Sequence, residues 1–546
     1  MSIIFRATIR RFSKRLGRSP MQTFCAWLKL LILLFFVIPL RAQEVRPEGC
    51  TTITVGKKAS VDGSVMASHT LDDHRAWTTI DVQPPRVHAE GSKFPLFKNG
   101  EDNSGAMPAY RGIPLGEIPE ASRTHGYINS ALPCMNDRQL AIGESTFGGR
   151  ESLVSDAGRI DLWRLVKIMI ERCSSAREAI RTAGELTARY GWRDAGECLT
   201  IADTKEVWHF EIVGPGAGRV GSIWAAQRVP DGHVSVNANA SRIRQVDTTN
   251  SDFFMASENY ASVARDSGWW NPADGPFEFC YAYDPGGRQS FASRRREWRV
   301  LDLLAPSLHL QPNSENYPFS VKPDSLVSVE RLVTIFKDYY EGTDFNPVKN
   351  ITWVNPEGKV EISPLASPFM PYDMLPLFKV NGGWGWRGER TIARWFTVYA
   401  TITQSRGWLP DPVGGLVWLA WDNAATALYT PIYCGVTDLP KSFKVDGRVT
   451  GYDRACAWWA FNHLSTLASQ RWGDMRRDVD SAWGPLQKEL FQNQGRIETE
   501  ALGLLKRSTA EGRAFLTRYS DTWAERAVRE AWKLGERLWT KYDERF

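Results

Sequence analysis

A cysteine placed where an export leader would be trimmed away is a chemical arrangement in itself. Cys50 stands in "RPEGCTTITVG", directly after Gly49. A thiol is a useful nucleophile when it is partly ionised and reachable. A cysteine hydrolase ordinarily supplies a histidine base, which a third group holds in place. A cut immediately before Cys50 would supply another base, the freed α-amine. Its ordinary pKa of about 7.7–8.0 leaves a fraction unprotonated near neutrality. Gly49 keeps the bond to be cut uncluttered. The chemistry would be acyl transfer: thiolate attack on an amide carbonyl, then hydrolysis of the acyl-enzyme. Taken alone, a single cysteine is more often a small buried hydrophobe; what precedes and follows Cys50 separates the two readings.

What precedes it resembles a secretory signal. Arg6, Arg10, Arg11, Lys14, Arg15 and Arg18 form a basic leader without an acid, followed by the apolar run "QTFCAWLKLLILLFFVIPL" at residues 22–40. "LRA" then ends at Ala42, a small-residue cleavage position. Lys29 interrupts the run and leaves it short for a membrane anchor. The expected organisation is a signal at 1–42, a short pro-segment at 43–49 and an exported mature chain, periplasmic or secreted, with no stable membrane span. Signal removal takes Cys25 and leaves seven of the eight cysteines, so at least one thiol lacks an intramolecular partner. No pair has CxxC spacing, and neither a metal nor a cofactor is expected.

The remaining chain must position this thiol. Its 546 residues are 43% hydrophobic and 24% charged, which is globular composition. Net charge is +5, and much of the basic excess sits in the leader, so no nucleic-acid partner is indicated. The 23 tryptophans read as large core residues. Strand-like runs crowd the first half: "TTITVG" (51–56), "GSVMAS" (63–68), "RQLAIGEST" (138–146), "CLTIAD" (198–203), "EVWHFEIV" (206–213), "GSIWAAQRV" (221–229) and "HVSVNAN" (233–239). The last four read as one antiparallel meander. Residues 156–191 carry helical spacing, with Gly191 as the stop, and helical patterns recur near 294–304 and 329–341. Residues 305–325 and 342–390 read as long loops. Strands resume at 394–402, 414–422 and 426–435, and the chain is helical from about 450. Strands in two sets flanked by helices predict a layered α+β fold.

Six stretches in order resemble the C69 family of dipeptidases, which are N-terminal-nucleophile cysteine hydrolases. They are "GCTTITVGKKASVDGSVM", "MNDRQLAIGESTFGGRESL", "WAAQRVPDGHVSVNANASRI", "SRRREWRVLDLLAPS", "DYYEGTDFN" and "WLPDPVGGLVWLAWDNAATALYTPIYCGVTDLPKSF". The resemblance implies a four-layer αββα sandwich of antiparallel sheets over 50–445, with 446–546 as a helical extension packed on it. It also implies metal-free hydrolysis of small peptides, dipeptides above all.

Residue by residue, the resemblance makes Cys50 the nucleophile and, through its amine, the base. Asp72 would hold the α-ammonium. Relatives carry an arginine shortly before that acid, and His69 stands there instead. Asn239 would supply a side-chain amide to the oxyanion hole, and Thr146 a backbone N–H. Arg296 matches a site arginine, with Arg294 and Arg295 as neighbours of uncertain register. Asp72, Asn239 and the arginines also have ordinary readings as turn residues and a solvated helix start. Two rivals remain at this point. One is an amidase of the same fold acting on non-peptide amides. The other is a surface lipoprotein with Cys50 lipidated, although "PEG" before Cys50 makes a poor lipobox.

Overall fold

The computed structural model describes residues 49–73, 76–99, 112–369 and 390–545. The expected signal and nearly all of the pro-segment lie outside these residues, as does part of the 342–390 stretch. β1 (Thr51–Val55) and β2 (Val65–Asp72) form the hairpin expected around "KKASVD". β3 (Asp81–Gln83), β4 (Tyr127–Asn129), β5 (Met135–Asn136) and β6 (Ala141–Gly148) follow.

The single helical pattern of 156–191 is two helices, α1 (Leu162–Arg172) and α2 (Ala176–Tyr190). Asp161 and Ser175 cap them, accepting from the Arg164 and Glu178 N–H groups. Gly191, at φ +80°, ends the second where a left-handed residue is needed. The meander continues through β7 (Gly196–Ala202), β8 (Val207–Val213) and β9 (Ile223–Val229). The fourth run leaves it: β10 (Val234–Asn237) crosses to the other sheet and pairs with β1, and β11 (Phe254–Ala256) takes its expected place beside β9. Alternation cannot tell which sheet a strand joins, and the sequence reading erred there for that reason.

After α3 (Phe291–Leu304) come β12 (Ser320–Val321), α4 (Val329–Phe336), β13 (Thr397–Ser405), β14 (Gly415–Trp421) and β15 (Thr430–Tyr433). The stretches read as loops therefore hold short strands, including an exposed ladder between Thr352–Val354 and Val360–Ile362. Three helices close the chain: α5 (Ala457–Gln470), α6 (Trp472–Arg507) and α7 (Thr509–Lys541).

The seven-stranded sheet runs β12-β10-β1-β2-β13-β14-β15, and the eight-stranded sheet runs β11-β9-β8-β7-β6-β5-β4-β3. Neighbouring strands in both are antiparallel. β1 and β2 of the first sheet lie against β6 of the second, and β2 also meets β7 and β8. α1 and α2 pack on β5–β8, while α3, α4, α5 and α7 pack on strands of the first sheet. Strands held between layers are covered on both faces, and every residue of β2, β7, β8, β13 and β14 is buried. Trp192, Trp208, Trp418 and Trp421 are among the largest fully buried side chains, so these tryptophans are core.

The C-terminal helices are tied down by polar contacts as well as apolar ones. Arg406 forms an ion pair with Glu498 at 2.5 Å, and Trp483 Nε1 donates to the Thr426 carbonyl at 2.7 Å. The Gln487 side chain accepts from the Tyr429 N–H at 2.9 Å and donates to the Tyr429 carbonyl at 3.1 Å. Among the described residues, no helix is long and apolar enough to cross a membrane.

Candidate active site

Cys50 sits at the mouth of β1, where the two sheets meet. Its thiol donates to Glu144 Oε2 at 2.9 Å, and the residue is 4% exposed. Burial pushes the thiol well above its usual range, and the charges of Glu144 and then Asp72 add to this. With the Gly49–Cys50 bond intact, Cys50 has no α-amine, and the thiol rests protonated against a carboxylate.

Glu144 comes from β6 of the opposite sheet. Burial opposes its charge, but His69, then Glu197 and Cys50, outweigh that and hold its carboxyl below the usual range. His69 Nε2 lies 3.5 Å from Glu144 Oε2, with its ring edge-on to Tyr399. Gly143 makes this approach possible, since a Cβ there would stand 3.2 Å from the His69 Cβ and 2.7 Å from Thr200 Oγ1. Thr146 Oγ1 is 2.8 Å from Glu144 Oε1 and 2.8 Å from Glu197 Oε1. The hydroxyl has one hydrogen and can donate to only one of them. Burial, then the charges of Glu144 and Asp194, push Glu197 well above the carboxylate range.

His69 and Asp72 differ in parity, so their side chains leave β2 on opposite faces. Asp72 is 1% exposed and is gripped by Thr397 Oγ1 at 2.6 Å and Arg390 Nη2 at 2.5 Å. His69 therefore does not take the place of the expected arginine. A guanidinium does reach Asp72, but from Arg390, far along the chain. Its other nitrogen, Nη1, donates to the Gly49 carbonyl at 2.6 Å. That carbonyl belongs to the bond the sequence marks for cutting.

Arg296, on α3, is the member of its triplet that faces the site. It donates to Cys50 O (2.8 Å), Thr51 Oγ1 (2.9 Å), Ala238 O (2.9 Å), Asn239 Oδ1 (2.7 Å) and Ala292 O (2.9 Å). Arg294 and Arg295 turn away, to the carbonyls of Asn313, Ser314 and Pro312. Burial, then the nearby charge of Arg390, pull Arg296 well below the usual guanidinium range. Asn239 adopts a left-handed φ of +64°, which asparagine tolerates better than most residues. Its amide donates to the Thr146 carbonyl at 2.6 Å, so it is engaged rather than aimed at an open oxyanion position. The loop bearing it is anchored from behind, as Glu211 accepts the Arg242 N–H at 2.6 Å and Asp284 accepts the Ser241 N–H at 2.9 Å.

Gly49 closes the arrangement. It adopts φ +148°, and a Cβ there would fall 2.3–2.5 Å from the Asn239 side chain. Gly49→Ala is expected to push the Gly49 carbonyl away from Arg390. If the chain is cut before Cys50, a displacement costing about 1.4 kcal/mol at the transition state would slow that cut about tenfold. Intact-mass analysis of freshly purified protein would show accumulated uncut chain; unchanged maturation would contradict this.

The five residues singled out in sequence beside Cys50, namely Asp72, His69, Asn239, Thr146 and Arg296, thus converge on it, directly or through one partner. Sequence reasoning missed Glu197 and Arg390 altogether, and neither carries a local spacing signal.

A family model of the peptidases, peptidase family C69, matches residues 49–484. The chain belongs to peptidase family C69. The match opens one residue ahead of Cys50 and runs on into α6. Among curated proteins, the chain is 22% identical over 491 residues to a probable dipeptidase of Latilactobacillus sakei, covering 88% of this chain and 94% of that one. It is 24% identical to a probable dipeptidase of Salmonella dublin, covering 75% and 88%. To a probable dipeptidase B of Lactococcus lactis it is 25% identical, covering 74% and 78%.

Proposed function

We propose that this C69 peptidase is an exported dipeptidase of the N-terminal-nucleophile type, with Cys50 as its nucleophile after loss of the residues before it. The carrying observation is the pairing of the Cys50 thiol with Glu144 while Arg390 holds the carbonyl of the preceding Gly49. The relatives' names support dipeptides as the substrate class. The two stacked antiparallel sheets with helices outside them support an αββα hydrolase sandwich.

Maturation would run within the chain. Glu144 takes the thiol proton, and Sγ attacks the Gly49 carbonyl carbon while Arg390 stabilises the developing oxyanion. The C–N bond then breaks, and the Cys50 nitrogen takes a proton and becomes the free amine. Water hydrolyses the Gly49 thioester and frees the thiol. In the mature enzyme the α-amine accepts the thiol proton, and the thiolate attacks the substrate's peptide carbonyl. The protonated amine donates to the leaving amino group, and water releases the acyl product. Asp72, fixed by Thr397 and Arg390, lies beside Gly49: the Gly49 N–H donates to the Asp72 carbonyl at 3.1 Å. It is placed to neutralise the α-ammonium.

The lipoprotein alternative is disfavoured by the burial of Cys50, whose thiol donates to Glu144 instead of facing solvent. Intact mass and N-terminal sequencing of the exported protein, with a dipeptide panel, test the reading. A chain beginning at Cys50 that hydrolyses dipeptides is expected. A stable, active chain beginning near Gln43 would remove the α-amine from the mechanism.

A further inference from the structure

Three side chains at this site have a second chemical capacity. Cys50 Sγ, His69 Nε2 and a Glu144 carboxylate oxygen all lie within 4.8 Å of one another, and all three residues are buried. Sγ to Glu144 Oε2 is 2.9 Å, and His69 Nε2 to the same oxygen is 3.5 Å. Among the described residues His69 Nε2 makes no hydrogen bond, only that longer contact, although the residue is 2% exposed. An imidazole nitrogen buried in that condition points at the shared oxygen with its bonding capacity unspent.

We propose that the mature protein binds one zinc-class divalent cation through Cys50 Sγ, His69 Nε2 and Glu144 Oε2, and that the bound cation reversibly silences the nucleophile. A thiolate, an imidazole and a carboxylate form the mixed soft and borderline donor set that zinc favours. Bond lengths of about 2.0–2.3 Å place the donors of a tetrahedral site roughly 3–4 Å apart, so the triangle needs little movement. The donors come from the residue that leads into β1, from β2 and from β6, and so from both sheets, which makes their separation a property of the rigid core. Glu144 is also oriented from outside, because its other oxygen is held by Thr146, which Glu197 holds in turn.

Charge favours the same arrangement. One thiolate and one carboxylate neutralise one divalent cation, so the buried complex is neutral. Forming the metal–sulfur bond releases the thiol proton to solvent, with no change in oxidation state. Once Gly49 is gone, the Cys50 amine can close a five-membered chelate ring with its own sulfur and supply a fourth donor. In the uncut chain that nitrogen is a peptide amide and unsuited to the task, so mature protein should bind more tightly than precursor. The inhibition rests on Cys50 being the nucleophile; the binding does not.

The test uses metal-free mature protein titrated with Zn2+ by calorimetry and with Co2+ by absorption. Expected are one equivalent bound, a thiolate-to-cobalt charge-transfer band, proportional loss of dipeptide hydrolysis, and recovery with EDTA. Zn2+ should also protect Cys50 of the unaltered protein from iodoacetamide, read by peptide mass. Thr146→Val keeps all three donors and should weaken binding roughly 10- to 100-fold. Absence of the cobalt band, or metal bound without protection of Cys50, overturns the site. Protection without loss of hydrolysis supports the site and overturns the inhibition. Protection in a protein with no dipeptidase activity supports the site and overturns only the enzymatic reading.

Discussion

Cys50→Ala will yield a chain that neither breaks at Gly49–Cys50 nor hydrolyses dipeptides. Both reactions are assigned to one sulfur atom, and the neighbouring groups offer no substitute. Glu144 and His69 can move protons but cannot form the acyl intermediate from where β6 and β2 hold them. Loss of an activated nucleophile costs roughly 10⁴-fold or more, which leaves only the contribution of the oxyanion donors. The fold should survive. Deleting the thiol and leaving a methyl group in a buried pocket costs about 1 kcal/mol, and Glu144 keeps its contacts with His69 and Thr146. The measurement is intact mass, thermal melting and dipeptide turnover on the same preparation. A folded, cut and active Cys50→Ala protein would end the proposal.

Arg390→Met should fail in two separable ways. Asp72 is fully buried and loses its ion-pair partner, keeping the Thr397 and Thr70 hydroxyls and the more distant charges of Arg296 and Arg394. Breaking a buried ion pair from one side typically costs about 3–5 kcal/mol, because the remaining charge is stranded. The Gly49 carbonyl also loses its donor, and one such donor at a developing oxyanion is worth about 10²–10³ in rate. The double variant Arg390→Met/Asp72→Asn separates the two effects. Removing the stranded charge should recover most of the lost melting temperature while the chain stays uncut. If the double variant matures at the wild-type rate, Arg390 serves only to hold Asp72.

Much of this architecture was legible in the residues, for reasons that also mark where the reading stopped. β1, β2, β7, β8 and β9 announce themselves as short apolar runs between turn residues, and α2 by its spacing and by Gly191. Assigning β10 to the right sheet needed something alternation does not carry, because its partner β1 lies 179 to 185 positions earlier, from Val55↔Val234 to Thr52↔Asn237. The site divides in the same way. Cys50 was visible from its place behind a leader, and the family motifs supplied Asp72, Asn239 and Arg296. Glu144 becomes functional only because two sheets stack and Gly143 lets His69 approach. Arg390 lies 318 positions from Asp72, in a Pro- and Gly-rich stretch without periodicity. His69 was misjudged because the count of residues to Asp72 was read without its parity.

The margins of the two sheets bear on how copies of the chain can meet. An open ladder of backbone donors and acceptors is an invitation to another chain, and proteins that leave one long and flat tend to self-associate through it. Here the outermost strands β3 and β11 have three residues each, and β12 has two. The fourth margin, at β15, has four residues and a substitute neighbour. Gln487 from α6 engages both the N–H and the carbonyl of Tyr429, as an adjoining strand would. Among the described residues, no margin of the two large sheets offers a ladder long enough to register a second copy. The two sheets are therefore guarded against the strand-by-strand growth that leads to fibres, and the longer open backbone lies outside them, in the two-stranded ladder of Lys93–Asn99 and Gly112–Pro119.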